Sequence, residues 1–216
     1  TSHTYTGPGP YQITITTPVP VSEAQIPKWR FTYDSGPMLV SMDTPMLNTG
    51  STDFSNCFLF CKNLTTIAGG LFANNTAVTD FTTCFIDCSS LTAIPAGLFD
   101  NNTEATDFSS CFRGCSSLIA IPSGLFDNNK EATSFYSCFM NCTGITEIPA
   151  RLFVNSWGVF YFDHCFENCV QAKLNSTIFG DDLNRRFSNK QIFFTKCFFN
   201  VGSSLTPGQG GEAPAL

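Results

Sequence analysis

Eleven cysteines and two histidines carry most of the chemical potential of this chain, and their spacing narrows what that chemistry is. Cys57, Cys84, Cys111, Cys138 and Cys165 follow one another with a constant 27-residue period; Cys61, Cys88, Cys115, Cys142 and Cys169 keep the same period, and Cys197 stands alone, one longer step beyond Cys165. Read as helical residues, a C-x-x-x-C pair joins i and i+4, at the edge of the Cα separation a disulfide permits and with a strained S–S torsion. Disulfides between successive turns are disfavoured on the same premise, because helices pack about 8–10 Å apart and the bridge needs Cα atoms within about 7 Å. Metal binding needs ligands that converge without apolar groups between them, whereas these cysteines are interleaved with Phe and only His3 and His164 are at hand. Redox catalysis wants an exposed, electropositive thiol. The spacing favours a plainer role, in which each Cys is a small apolar residue with a weak S–H donor, sized to sit between Phe side chains.

Two further groups invite a chemical reading. Asp100, Asn101, Asn102 and Thr103, with Asp127, Asn128 and Asn129, offer oxygen ligands of the kind calcium takes, but the corresponding Ala73, Asn74, Asn75 and Val154, Asn155, Ser156 lack the carboxylate. An Asn ladder, each amide bonding the backbone of its own or the adjacent loop, fits better. Asp163 and Glu167 flank His164, yet no glycine-rich phosphate loop, H-E-x-x-H or G-x-S-x-G is present. The expectation is no enzyme, no cofactor and no metal site.

The elements that position these residues follow from the repeat, which has to be recognised before any other reading. Phe81, Cys84, Phe85 and Cys88 fall at i, i+3, i+4 and i+7, which predicts a helix of about two turns with Phe and Cys inward. Pro95 and Gly97 stop it, so residues 91–94 read as a short strand. One unit cannot bury its own apolar stripe; stacked copies can. Phe54, Phe81, Phe108, Phe135 and Phe162 then form one ladder, Phe58, Phe85, Phe112, Phe139 and Phe166 a second, and Phe72, Phe99, Phe126 and Phe153 a third, which accounts for 23 Phe in 216 residues. Leu39, Met42, Met46, Leu47 and Phe54 follow the template of Leu64, Ile67, Leu71, Phe72 and Phe81 as a degenerate first turn, and Phe194, Cys197 and Phe198 restart it at the other end with Val201 in place of the second Cys. Terminal repeats are usually atypical, because they cap the core.

The block from Cys88 to Phe99 and its copy from Cys115 to Phe126, C-S-S-L-x-x-I-P-x-G-L-F, resemble the leucine-rich repeats of the BspA-like class, found in surface proteins of gut Bacteroidetes, oral bacteria and mucosal parasites. The resemblance implies an α/β solenoid, a right-handed superhelix of 27-residue turns each made of a short strand and a short helix, over residues 38–207. It also implies display outside the cell, where an anaerobic gut leaves buried thiols reduced. Departures concentrate around Trp157, Phe160 and Tyr161 and in the 32-residue turn that follows, which leaves the curvature there open. Residues 1–16, with His3, Thr4, Tyr5, Gly7 and Tyr11, resemble the last hairpin of a PKD-type β-sandwich; residues 11–16 read equally well as the solenoid's own first strand. Residues 17–37 are expected to form an N-terminal β cap and 208–216 a tail, the whole being a piece of a longer modular protein.

A net charge of −6 with no basic patch speaks against nucleic acid as a partner, and no apolar run approaches the roughly 20 residues that cross a bilayer. Surface recognition remains. In a solenoid the core positions are fixed, so specificity rests on outward positions that change from turn to turn. Trp157, Phe160, Tyr161, Arg113, Thr92 and Glu147 are the candidate ligand-binding residues, since exposed aromatics stack on sugars or anchor protein contacts; Trp157 reads equally as filler for a gap beside the irregular turn. The expected function is a non-enzymatic recognition or adhesion module at the cell surface, binding a host or microbial protein or glycan. The alternative is a structural fibre or spike module of a phage or surface appendage.

Overall fold

The computed structural model describes residues 39–48, 50–180 and 191–203. The hairpin expected at 1–16, the cap at 17–37, the tail at 208–216 and residues 38, 49, 181–190 and 204–207 of the repeat region lie outside the described residues. Within them the chain runs as coils stacked in parallel and in register, with a 27-residue step up to Tyr161 and a 32-residue step from there to Phe193. Two columns of backbone pairing hold the stack. One links Asp53, Asp80, Asp107, Ser134, Tyr161 and Phe193 by successive parallel bridges. The other starts as the two-residue strands β1 (Ser41–Met42) and β2 (Thr66–Ile67) and continues as single bridges between Ala93 and Ala120 and between Glu147 and Lys173.

The sequence explains why the second column thins. Ala68 donates its N–H to the Met42 carbonyl at 2.6 Å and completes the β1 and β2 pairing. Pro95, Pro122 and Pro149 stand at that position in the next coils, and a proline has no N–H to give. The strand expected at 91–94 is therefore reduced to a single bridge at Ala93.

The expected helix is not there: among the described residues the only regular elements are β1 and β2. Residues 81–88 instead form a chain of tight turns, with Cys84, Ile86 and Cys88 donating to the carbonyls of Phe81, Thr83 and Phe85 at 3.1–3.2 Å. The intervening N–H groups of Phe81, Thr83, Phe85 and Asp87 leave the coil and donate to Asp107, Ser109, Cys111 and Arg113 of the next one at 2.7–2.9 Å. Thr83 (φ 55°) and Asp87 (φ 56°) are in the left-handed region, which no α-helix tolerates. Ser110 and Gly114, Ser137 and Asn141, and His164 and Asn168 repeat that geometry coil after coil. A lone β-branched Thr at positive φ is strained; here each left-handed turn is locked by bonds to a neighbouring coil on at least one side. Phe81, Cys84, Phe85 and Cys88 still share the inner face, all fully buried, so the pairing of inward residues was right and the element was wrong.

The core is the three predicted Phe ladders. Phe58 and Phe85 stack with ring centroids 4.9 Å apart and planes 1° from parallel, and the second ladder continues to Phe198 at 5.9 Å from Phe166. The third gains a member the repeat arithmetic did not include, Phe179, 5.8 Å from Phe153. Between ladders the rings meet edge to face, as Phe99 and Phe108 do at 5.0 Å and 66°, the offset arrangement their quadrupoles favour. In the degenerate first coil Leu39 and Met46 are buried, but Leu47, aligned with Phe72 by the template, is exposed. The register still holds at Met46, whose N–H donates to the Leu71 carbonyl at 2.8 Å, but the next side chain is exposed and the third ladder begins at Phe72.

Candidate recognition surface

The polar residues of each coil are mostly committed to stacking. Thr79, Thr106 and Thr133 each donate both N–H and Oγ1–H to the Thr one coil back, the N–H bonds all being 2.8 Å. On the second column Thr65, Thr92 and Thr146 donate both groups in the same way, to the carbonyls of Val40, Thr65 and Ile119 one coil back. Asn75, Asn102 and Asn129 are buried, and Asn102 and Asn129 each donate Nδ2–H to the carbonyl of the preceding ladder Asn at 2.8 Å. The Asn pattern therefore forms a ladder, and among the described residues no group of three or more His, Cys, Asp or Glu is arranged to hold a metal ion.

All eleven cysteines are buried as free thiols. Four of the second column donate S–H to a Phe carbonyl of the preceding coil: Cys88 to Phe58, Cys115 to Phe85, Cys142 to Phe112 and Cys169 to Phe139, at 3.0–3.2 Å. Burial, opposed by a bond from the Cys142 side, pushes the Cys169 thiol up to about 12, and burial likewise raises Cys111, Cys115, Cys138 and Cys142. A thiol held protonated is a poor nucleophile and a poor metal ligand.

One stretch departs from this economy. On the first column Asp53, Asp80 and Asp107 each accept, through Oδ1, the N–H two residues on, at 2.7–2.8 Å. Ser134 does so through Oγ at 3.3 Å. Tyr161 and Phe193 occupy the same column and have no side-chain acceptor for that bond. They are about 47% and 39% exposed and stack on each other at 5.3 Å with planes 10° apart. Beside them Phe160 takes the place of the column Thr, giving up its Oγ1–H bond while keeping the N–H bond to Thr133 at 2.9 Å. Trp157 is 48% exposed; it does not fill a gap in the core. Tyr136, one coil earlier, is exposed and meets His164 edge-on at 5.7 Å, and His164 Nδ1 contacts Glu167 Oε2.

The structure thus groups Trp157, Phe160 and Tyr161 on one short stretch of a single coil. It does not gather all six candidates. Arg113 is exposed on the turn chain between the two columns, while Thr92 and Glu147 are exposed on the second column, two coils apart. Sequence reasoning missed Phe193 and Tyr136. Tyr136 had a visible signal, since it replaces Ser55, Thr82 and Ser109 of earlier coils. Phe193 was hidden because the regular step lengthens just before it.

The stacked parallel coils, with an aromatic core and ladders of Asn, Thr and Cys, define a solenoid repeat protein. No family model matches the sequence and no curated protein matches it either. Among solved structures the chain is similar to a leucine-rich repeat protein from Bacteroides ovatus, at 13% identity over 67% of this chain and 39% of that one, with TM-score 0.37. It is also similar to a leucine rich cell surface protein from Faecalibacterium prausnitzii, at 22% identity over 56% and 35% of the two chains, TM-score 0.30. A third likeness is to a chain of the LRIM1/APL1C complex, at 14% identity over 61% and 24%, TM-score 0.34. The chain spans less than half of each of these proteins. At such TM-scores the likeness adds no argument to the architecture, which rests on the backbone pairing. Among the described residues no helix is long and apolar enough to cross a membrane.

Proposed function

We propose that this solenoid is a non-enzymatic recognition module displayed at the cell surface, which binds a protein or a glycan through the aromatic residues of its later coils. The observation that carries the reading is the exchange of Asp53, Asp80 and Asp107 for Tyr161 and Phe193 in one column, which gives up the aspartate's turn bond at Tyr161 and at Phe193 leaves the Thr195 N–H to Asp163 Oδ1 of the preceding coil. A residue that weakens its own turn and stays in water contributes little to folding, and flat aromatic surface is what sugars and protein hot spots use. Trp157 and Phe160 extend the same surface. Arg113, Thr92 and Glu147 belong to other columns and contribute where a ligand reaches around the coil.

The test is binding of the full chain to immobilised mucin, a glycan array and candidate surface proteins, alongside the variants Tyr161→Ser and Trp157→Ser. The expected result is a monomer that binds, with affinity falling about tenfold or more in either variant at unchanged unfolding temperature. A stable trimer or polymer that binds none of these ligands points to the fibre or spike module and overturns the proposal.

A further inference from the structure

Helices packed about 8–10 Å apart would keep successive turns from cross-linking, but among the described residues the turns carry no helix. Successive coils are joined beside the cysteines by direct backbone bonds, Phe58 N–H to the Cys84 carbonyl, Phe85 N–H to Cys111 and Phe166 N–H to Cys197, each at 2.8 Å. Chains paired in this way lie about 4.8 Å apart, inside the roughly 4.4–6.8 Å between Cα atoms that a disulfide spans. The Phe residues that follow the cysteines confirm the register, since Phe58 and Phe85, then Phe85 and Phe112, stack at 4.9 and 5.3 Å. Beside this backbone register, the thiols of Cys84, Cys88 and Cys165 are each raised in part by a thiol of the neighbouring coil, Cys57, Cys61 and Cys197 respectively. Within a C-x-x-x-C pair the thiols instead reach toward the neighbouring coil, as Cys88 does toward the Phe58 carbonyl.

We propose that the two cysteine columns are latent disulfide ladders, which a low-molecular-weight disulfide converts into bonds between neighbouring coils. The order of the column sets the phase of the pairing, because six thiols in a row pair completely with neighbours in one way only. In the first column Cys57 joins Cys84 and Cys165 joins Cys197, which leaves Cys111 and Cys138 for each other. In the second, Cys88 and Cys142 each join a neighbour, so that a single thiol, Cys61, Cys115 or Cys169, remains. For each bond two protein thiols and one small-molecule disulfide become one protein disulfide and two small-molecule thiols, by way of a mixed disulfide; the protons of the protein thiols end on the released thiols. Forming the Cys61 to Cys88 bond gives up the weak S–H bond to Phe58. Because the thiols are buried, exchange enters while the coils are assembling or when a terminal coil opens, and a finished stack reacts slowly. The inference does not depend on what Tyr161 and its neighbours bind.

The experiment refolds the full chain in a mixture of oxidised and reduced glutathione, and in parallel under reducing conditions alone, with bonds mapped by peptide mass spectrometry after alkylation. The expected product carries five bonds, each between neighbouring coils of one column, keeps one alkylatable thiol, and unfolds at a higher temperature than the reduced chain. In the variant Cys84→Ala the count falls to four and Cys57 becomes alkylatable. Retention of all eleven thiols, bonds within a C-x-x-x-C pair, bonds between the two columns, or bonds between molecules overturn the proposal; circular dichroism of the reduced sample confirms that each variant folds.

Discussion

The Sγ–H of Cys115 donates to the carbonyl oxygen of Phe85 at 3.2 Å, and the same oxygen accepts the N–H of Cys88 at 3.2 Å from within its own coil. One carbonyl thus closes a local turn and receives the next coil's thiol. That geometry repeats for Cys142 on Phe112 and Cys169 on Phe139. It assigns the second cysteine of each unit a structural task that only a small, protonated, weakly polar side chain performs: serine brings a shorter reach and a costlier hydroxyl to bury, and alanine leaves the site without a donor.

Keeping these thiols protonated makes the reduced protein sensitive to alkali. Their folded-state values are raised, chiefly by burial, and for Cys88 first by its contact with Cys61. Thiols of the unfolded chain ionise near pH 8.5, while Cys169 in the folded chain waits until about 12. Between these limits the unfolded state has released protons that the folded state still holds, so stability falls as pH rises, by roughly 1 kcal/mol per pH unit for each such thiol. Denaturant unfolding of the reduced chain is expected to give a constant stability up to about pH 8 and a steep decline above about pH 9. A flat profile to about pH 10.5 contradicts the account.

The two asparagines of the Asn101–Asn102 pair differ sharply in role. Asn102 is buried and donates to the Asn75 carbonyl at 2.8 Å and to Phe72 at 3.3 Å, whereas Asn101 is exposed with one long bond of 3.4 Å to Ala73. Asn102→Ala is expected to cost about 1–2 kcal/mol, the loss being limited because the Asn102 Oδ1 has no partner inside. Asn101→Ala is expected to change stability by less than about 0.5 kcal/mol. Urea titrations of the two variants side by side check the contrast, and equal effects would remove the buried ladder from the energetics.

Coil spacing also leaves no room at Gly144. A Cβ there would meet the Ser116 carbonyl oxygen at 2.6 Å and that of Leu118 at 2.9 Å, both backbone atoms that cannot swing aside. At Gly69 the nearest such atom is the Ala96 oxygen at 3.6 Å, an ordinary contact. Gly144→Ala is therefore expected to destabilise by about 2 kcal/mol or more, and Gly69→Ala to leave stability within about 1 kcal/mol of the parent. Thermal unfolding measures both, and a Gly144→Ala protein as stable as the parent would mean that the coils are looser than this.

Most of the core was legible in the sequence. A 27-residue period in Phe and Cys names the inward positions whatever the backbone does between them, because burial depends on which residues share a face. The chain of turns that replaces the expected helix was not legible. Phe81, Cys84, Phe85 and Cys88 keep the same i, i+3, i+4, i+7 spacing in a chain of turns as in a helix, and that pattern carries no record of where an N–H finds its acceptor. The aromatic surface was half visible: Trp157, Phe160 and Tyr161 broke the consensus, but their partner Phe193 lay beyond a change of period.

By itself the sequence determined that the chain stacks in repeated coils around three ladders of Phe, with cysteines as core residues and asparagines as a ladder, since each follows from periodicity and from the cost of leaving apolar groups in water. Only the tertiary structure decided the backbone. Alternate N–H groups from 81 to 87 are satisfied by the next coil rather than four residues back, and that choice depends on a neighbour being present at about 4.8 Å, which no single repeat contains. The same spacing brings Cys57 to Cys84 and sets Tyr161 on Phe193, so the thiol chemistry and the candidate binding surface are both properties of the stack.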